Sequence, residues 1–324
     1  MTNAIRIYEP GGAENLRWEN VDVGEPDAGQ VRIRQSAVGL NFIDIYMRTG
    51  LYPLPSYPAV LGMEAAGIVE SIGPNVDGIS VGDRVAYCMV PGAYSESRLI
   101  SAEKLLKLPD LIDDRTAAAM MLKGLTAHYL LFRSYSVKPG DRILVMAAAG
   151  GVGLMLCQWG RYLGAEVIGC VGSDSKAELA KANGAHHVIL YNQENIPQRV
   201  KEITGGQGVA VAYDSVGQAT FEASLDSLRP FGVLVTYGNA SGPVEPFSPA
   251  ILAPKGSLYV TRPTLATHTA TRELLKEGAD RLFQVVVDGT VDIAIHQTYA
   301  LSDTATAHFE LESRITTGAS VLIP

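Results

Sequence analysis

The run Ala147-Ala148-Ala149-Gly150-Gly151-Val152-Gly153 combines residue types that can hold a phosphate. It follows the apolar stretch Ile143-Leu144-Val145-Met146 and opens a segment of helical spacing, the context that gives a glycine loop chemical meaning. Glycine lets the backbone come close to a pyrophosphate. A helix N-terminus offers the same group unbonded N–H donors and a positive dipole end. Against G-x-G-x-x-G, Ala148 stands at the first glycine, while Gly150 and Gly153 match the second and third. In isolation the motif reads equally well as a tight packing turn. With a strand before it, a helix after it and further βαβ units downstream, it reads as the phosphate loop of a dinucleotide site.

The next strand discriminates between dinucleotides. A site for NAD places Asp or Glu at the end of that strand, about 20 residues beyond the loop, to bind the ribose 2′-hydroxyl. Here Val167-Ile168-Gly169-Cys170-Val171 runs into Gly172-Ser173, with no carboxylate at the tip. Ser173 can donate a hydrogen bond and Lys176 can supply a positive charge, as a 2′-phosphate requires, so NADPH is the expected cofactor. Two alternatives stay open here. A small change of register brings Asp174 close, and a lysine in a helix's first turn is commonly just solvated.

These residues need elements to position them. In the first third of the chain, Gln30-Val31-Arg32-Ile33-Arg34 and Ala66–Gly73 alternate like half-buried strands, while Pro74-Asn75 and Gly82-Asp83 supply turns. This region reads as mostly β. Helical spacing predicts a helix over Thr116–Phe132. After the turn Pro139-Gly140-Asp141, strands are expected at Arg142–Ala147, Val167–Val171, His187–Leu190, Val209–Asp214 and Gly232–Tyr237. Helices are expected between them at Gly153–Gly164, Lys176–Asn183, Ile196–Thr204 and Phe221–Leu228. Such alternation implies parallel βαβ units in a doubly wound sheet. Arg272–Val287 reads as a helix, and Ile293–Tyr299 and Ser320–Ile323 read as strands. A β-type tail after an α/β block predicts that the tail completes the first domain and that the nucleotide domain is an insertion.

Composition bounds the remaining possibilities. A chain of 324 residues suffices for two domains, and 47% hydrophobic with 19% charged residues suffices for sizeable cores. The net charge of −8 argues against a nucleic-acid partner, which needs clustered Lys and Arg. No run of about 18 apolar residues occurs, so no membrane span is expected. The start Met1-Thr2-Asn3-Ala4-Ile5-Arg6 enters strand-like alternation directly, and no secretory signal is expected. Three cysteines, Cys88, Cys157 and Cys170, lack C-x-x-C spacing and fit a reducing cytoplasm better than a disulfide framework. Ser36, Ser215 and the six histidines have no nucleophile–base context, and His186-His187 reads as structural.

Several dispersed segments, in order, carry a resemblance. They are Asn41-Phe42-Ile43-Asp44, Gly62-Met63-Glu64, Lys123-Gly124-Leu125-Thr126, Ala148–Gly153, Tyr213-Asp214-Ser215-Val216-Gly217, Tyr237-Gly238-Asn239 and Gly256–Pro263. Together they resemble the zinc-less, ζ-crystallin-like quinone oxidoreductases of the medium-chain dehydrogenase/reductase superfamily, bacterial NADPH:quinone oxidoreductases in particular. The resemblance covers essentially the whole chain. It implies a Rossmann doubly wound parallel sheet (124–264) inserted into a GroES-like mostly-β catalytic domain formed by 1–123 and 265–324. It also implies a homodimer joined through edge strands of the Rossmann sheets, with Ser257–Thr261 as the candidate edge.

In zinc-dependent relatives Cys, His and Cys stand where this chain has Asn41, Met63 and Lys123. An amide, a thioether and an ammonium cannot form the N/S set that tetrahedral zinc prefers. Three cysteines cannot build a four-cysteine lobe either, so neither zinc is expected. Without a Lewis acid, alcohol oxidation loses its activation. A quinone is already electrophilic and gains aromaticity on reduction. The resemblance therefore implies NADPH-dependent reduction of a quinone bound in the interdomain cleft.

By the same resemblance Asn41, Tyr46, Tyr52 and Thr126 form the catalytic set. Asn41, Tyr46 and Thr126 line the nicotinamide and its ribose, and Tyr52 sits at the mouth of the acceptor pocket. For both tyrosines a half-buried loop aromatic is the alternative. Ala149, Gly150, Gly151, Val152 and Gly153 cradle the pyrophosphate. Gly172, Ser173, Lys176, Tyr191 and Arg314 surround the 2′-phosphate. Val216 belongs to the cofactor set, and Asn239 and Thr261-Arg262-Pro263 pass near the nicotinamide end. The guanidinium of Arg314 suits a phosphate, although a surface arginine is its alternative. Thr317-Gly318 is followed by Ala319, where most family members carry lysine. No essential acid is assigned. Two other functions fit the scaffold: an NADPH-dependent reductase of α,β-unsaturated carbonyls, and a non-catalytic NADPH-binding protein.

Overall fold

The alternation in the first third of the chain becomes antiparallel strands around a short helix. In the computed structural model, which describes residues 2–324, these are β1 (Thr2–Ile7), β2 (Arg17–Val21), β3 (Gln30–Leu40), α1 (Phe42–Arg48), β4 (Ala59–Val60), β5 (Glu64–Ile72), β6 (Arg84–Cys88), β7 (Ser97–Ser101) and β8 (Leu106–Lys107). Helix α2 (Asp114–Tyr129) follows, and its last turn widens into a π-helical stretch at Leu130–Ser134. The expected single helix to Phe132 is thus an α-helix that loosens before it ends.

The strand–helix alternation that comes next is β9 (Arg142–Met146), α3 (Gly151–Tyr162), β10 (Glu166–Val171), α4 (Asp174–Ala182), β11 (His187–Leu190), α5 (Ile196–Ile203), β12 (Val209–Asp214), α6 (Phe221–Asp226), β13 (Leu228–Thr236), β14 (Tyr259–Thr261) and α7 (Leu265–His268). The chain closes with α8 (Arg272–Val287), β15 (Ile295–Ala300), α9 (Thr304–Glu312) and β16 (Ala319–Ile323). Two units result. One comprises Met1–Leu125, Thr269–Val287 and Ile293–Pro324; the other comprises Thr126–His268 and Asp288–Asp292.

In the first unit β16 pairs antiparallel with β3, with Val321 opposite Gly39. The C-terminal strand thereby joins a sheet ordered β15-β16-β3-β5-β6-β8, and β7 also pairs with β3. A second sheet, β2-β1-β4, lies in the same unit. Ile5, Ile33, Val38 and Val85, from the inward faces of their strands, join the loop residues Leu61 and Tyr94 in one buried cluster.

In the second unit six parallel strands are ordered β11-β10-β9-β12-β13-β14. This is the doubly wound order 3-2-1-4-5-6. The central strands read Arg-Ile-Leu-Val-Met and Val-Ala-Val-Ala-Tyr-Asp and are buried almost end to end, as strands covered on both faces must be.

Where element edges differ from the sequence expectation, a cap or a backbone twist is responsible. Helix α4 begins at Asp174 rather than Lys176 because Ser173 is its N-cap, its hydroxyl accepting the Lys176 N–H. Helix α3 begins at Gly151 because Gly150 takes the extended N-cap conformation. Strand β9 stops at Met146 because Ala147 has φ +52. Helix α6 ends at Asp226, and strand β13 starts at Leu228 rather than Gly232. The added residues include Pro230, and Phe231 has φ +60. The β12–β13 register shifts between Val209 and Val211 to absorb this irregular start.

Candidate active site

In the second unit the chemistry-bearing loops lie at the carboxyl ends of the strands, where ligands of open α/β sheets bind. The loop after β9 turns through Ala147. Leu154 N–H is the first to close on a helical carbonyl, that of Gly150. The N–H groups of Gly151, Val152 and Gly153 therefore have no acceptor within their own helix. Gly153 is required by close approach: a Cβ there would lie 2.3 Å from the Ala147 carbonyl oxygen and 2.8 Å from Ala148 Cα. Gly150 is less constrained, its Cβ meeting the Ala147 oxygen at 3.3 Å. Ala149 is buried behind the loop. A backbone cradle with free donors at a helix N-terminus fits a dinucleotide pyrophosphate.

After β10, Gly172, Ser173, Lys176 and Tyr191 come together. A Cβ on Gly172 would lie 2.5 Å from the Tyr191 hydroxyl. Tyr191 N–H bonds the Val171 carbonyl at 3.1 Å, and the Ser173 hydroxyl lies 3.1 Å from that of Ser175. Asp174 is exposed in the first turn of α4. Asn192, absent from the sequence reading, donates its amide to the Gly172 carbonyl at 2.9 Å. An Asn beside Tyr191 in a strand-to-helix loop was the available signal.

Val216 and Asn239 are also neighbours. Their loops are built on Asp214, which is 1% exposed at the end of β12. One of its oxygens accepts the Val216 and Gly217 N–H groups at 2.8 and 3.0 Å, and Thr220 and Ser224 hydroxyls donate to the carboxylate as well. Gly217 has φ +92, and a Cβ on it would lie 3.3 Å from Asn239 Cα. Thr126, in α2, is a buried member of this unit. His186 and His187 make structural bonds, to the Val167 N–H and the Glu166 carboxylate.

Asn41, Tyr46, Tyr52 and Arg314 belong to the first unit. Asn41 is the N-cap of α1, and its backbone N–H donates to Asp44 Oδ2 at 2.9 Å. The Tyr46 and Tyr52 rings meet edge to face at 5.3 Å, and Tyr52 N–H bonds the Tyr46 carbonyl. Arg314 is exposed, with φ +58, in the turn after α9. Each of these four was singled out by the family pattern alone.

Two buried polar networks in this unit escaped the sequence reading. In the first, Glu64 is fully buried at the start of β5. Its Oε1 accepts from Lys123 Nζ and from Asn41 Nδ2, each at 2.8 Å. Its Oε2 accepts the Leu122 N–H at 2.5 Å. Two of the three positions that hold zinc ligands in zinc-dependent relatives thus converge on one carboxylate oxygen. The third, Met63, is buried beside it in sequence.

The second network starts at Asp44, also fully buried. Tyr94 donates its hydroxyl proton to Asp44 Oδ2 at 2.9 Å and meets His308 Nε2 at 2.9 Å. His308 Nδ1 lies 3.2 Å from Arg48, which pairs with Glu312 at 2.8 Å. Burial pushes the Asp44 carboxyl up to about 7, against the opposing pull of the Tyr94 hydrogen bond. Burial, helped by the Arg48 charge, pushes His308 down to about 3. The signal for both networks was charged residues inside apolar runs, since Lys, Glu, Asp and Arg are rarely buried unless paired.

Among the described residues, no group of three or more His, Cys, Asp or Glu is placed to hold a metal ion. No helix among these residues is long and apolar enough to cross a membrane.

A doubly wound sheet with its glycine loop at the switch point, carried within a chain whose two ends share one β unit, defines a medium-chain dehydrogenase/reductase. Family models agree. Residues 27–110 match the alcohol dehydrogenase GroES-like domain, and residues 151–280 match the zinc-binding dehydrogenase domain. The chain is 50% identical over 325 residues to a quinone oxidoreductase of Pseudomonas aeruginosa, covering all of both chains. It is 46% identical to a 2-haloacrylate reductase of a Burkholderia species, over 100% of this chain and 99% of that one. The crystal structure of Escherichia coli quinone oxidoreductase complexed with NADPH superposes with a TM-score of 0.97 at 47% identity, covering 99% and 100% of the two chains. The chain belongs to the quinone oxidoreductases of this superfamily.

Proposed function

We propose that this protein is an NADPH:quinone oxidoreductase that works without a metal. The observation that carries the reading is full-length identity of 50% to a protein of that name, on a scaffold whose three zinc-ligand positions hold Asn41, Met63 and Lys123. Gly151, Val152 and Gly153 would hold the pyrophosphate through their N–H groups, with Ala149 and Gly150 shaping the turn. Gly172, Ser173, Lys176, Tyr191 and Arg314 would receive the adenosine 2′-phosphate. Asn41, Tyr46, Thr126, Val216 and Asn239 would orient the nicotinamide end.

When bound, NADPH supplies the reducing equivalents. The protein's own part is orientation and exclusion of water. Tyr46 and Tyr52 offer adjoining aromatic faces on which a flat acceptor can stack. No buried acid is required to protonate the product, because a quinol's oxygens can take protons from solvent.

Homodimerisation through β14 is part of the same reading. This strand ends the six-stranded sheet, and Tyr259 on it is 60% exposed. A reducing cytoplasm suits its three free, buried cysteines.

A second reading is favoured by the 46% identity to a 2-haloacrylate reductase: an NADPH-dependent reductase of activated alkenes. Turnover of 1,4-benzoquinone against an alkenal and 2-chloroacrylate, under identical conditions, separates the two. Alkene reduction without quinone reduction would overturn the leading reading. For the cofactor, Lys176→Ala is expected to raise the NADPH KM about tenfold or more while leaving the NADH KM little changed, since one phosphate–cation contact is lost. Equal effects on both would refute the 2′-phosphate role.

A further inference from the structure

We propose that Glu64 is a positioning residue with Lys123 as its counter-ion, and that the pair sets which way the Asn41 carboxamide faces. The inference rests on the reading above, which puts Asn41 against the ligand. A carboxamide has two near-identical shapes related by a half turn, one presenting oxygen and the other NH₂ to a given neighbour. Here the neighbour is Glu64 Oε1, which already accepts from Lys123. An ionised carboxylate oxygen can only accept, so Asn41 must turn its NH₂ towards it. The amide oxygen is then turned away from Glu64, towards the Asp44 N–H at the start of α1, which it caps, and the second N–H is left over. The reversed amide would oppose two acceptors where Glu64 is 0% and Asn41 6% exposed, with no water to relieve them.

Lys123 makes the choice permanent. A buried carboxylate needs an opposite charge, and the ammonium 2.8 Å away supplies it. If a proton took that place, the resulting O–H could donate to Asn41 Oδ1 and let the amide turn over. Leu122 N–H holds the other carboxylate oxygen, so the carboxyl group cannot rotate away from Asn41 without losing a backbone donor. The arrangement draws residues 41, 64 and 123 from the N-cap of α1, the start of β5 and the middle of α2.

The test compares the full-length enzyme with Glu64→Gln/Lys123→Met, a neutral pair of similar volume. In this variant the amide at position 64 can serve Leu122 with its oxygen and present NH₂ to Asn41, turning Asn41 over. Two readouts are taken: NADPH Kd from nicotinamide fluorescence without acceptor, and kcat/KM for 1,4-benzoquinone. The variant is expected to fold with a wild-type melting temperature within a few degrees, to bind NADPH about tenfold more weakly, and to lose about tenfold in kcat/KM. Adding Asn41→Leu should cost nothing more, because the pair acts through Asn41.

A stable variant with wild-type Kd and kcat/KM, or losses that multiply with Asn41→Leu, would overturn the proposal. Lys123→Met alone carries the same comparison if the double variant does not fold, because a buried Glu64 without its counter-ion takes up a proton whose O–H can donate to Asn41 Oδ1. Wild-type protein that binds NADPH but does not reduce quinones defeats only the quinone reading, and Kd still decides the positioning role. Wild-type protein that does not bind NADPH overturns both.

Discussion

Asp44 and His308 are two ends of one buried hydrogen-bonded chain through Tyr94, and they should bend the stability–pH curve in opposite directions. The Asp44 pKa is raised by burial from the ordinary 3.8 to about 7. The folded protein therefore holds a proton that the unfolded chain has lost between about pH 4 and 7, and stability falls as pH rises through that window. The His308 pKa is lowered by burial and by Arg48 from 6.5 to about 3. Between about pH 3 and 6.5 the unfolded chain holds a proton that the folded protein lacks, so stability rises with pH. Each group contributes about 1.4 kcal/mol per pH unit where its two states differ. From about pH 4 to 6.5 the slopes oppose and largely cancel.

Asp44→Asn exposes the cancellation. The amide oxygen can still accept from Asn41 N–H and from Tyr94, and any cost of its NH₂ does not vary with pH. Relative to wild type, the variant should gain stability steadily from about pH 4 to 7, by about 4 kcal/mol in all, and then level off. Glu64 and Lys123 also act on Asp44, with opposite signs, and remain in both proteins. Urea unfolding followed by fluorescence of Trp18, in a Trp159→Phe background, reads the unit that contains Asp44. A wild-type–variant difference that is constant from pH 4 to 8 would refute the reasoning, because it would mean that Asp44 titrates alike folded and unfolded.

Other expectations concern close approach and burial. Gly153→Ala should abolish measurable NADPH binding by titration calorimetry, since its Cβ would sit 2.3 Å from the Ala147 oxygen and force the loop open. Wild-type affinity would show that the loop is not the cradle. Gly39→Ala should destabilise the protein by about 3 kcal/mol or prevent soluble expression, because its Cβ would lie 2.3 Å from both Ala118 O and Glu64 Oε1. A melting temperature within a degree or two of wild type would contradict that. The three thiols are buried, and burial raises Cys157 to about 12 and the other two further still. They should react with a thiol reagent only as fast as the protein unfolds, and prompt labelling of any one in native protein would count against this.

Much of the fold was legible because its rules are local. Apolar runs of strand length, helices spaced at 3.6 residues and glycine at a strand-to-helix turn are set by neighbours within a few residues. Five of the six parallel strands and the glycine loop followed from them, while β14 was expected only from the family resemblance. Ends of elements were less legible: Ser173 capped α4 two residues early, and Ala147 and Phe231 turned into the left-handed region for reasons of loop closure. The cluster proposed for the 2′-phosphate was legible in part, since Gly172, Ser173 and Lys176 are sequence neighbours, while Tyr191 joins them only because β10 and β11 pair in parallel.

The amino-acid sequence by itself determined the glycine loop, the missing carboxylate after β10, and the Asn, Met and Lys at positions 41, 63 and 123, because residue identity alone settles which atoms are present. What those atoms do to one another was decided only by the tertiary structure. Asn41 and Lys123 stand 82 positions apart in sequence and share one oxygen of Glu64 because β5 and α2 bring them there. Arg48 reaches His308 across |i−j| = 260. Burial turns such contacts from weak surface pairs into strong, orienting ones by removing the water that would otherwise compete, and burial is a property of the packed whole.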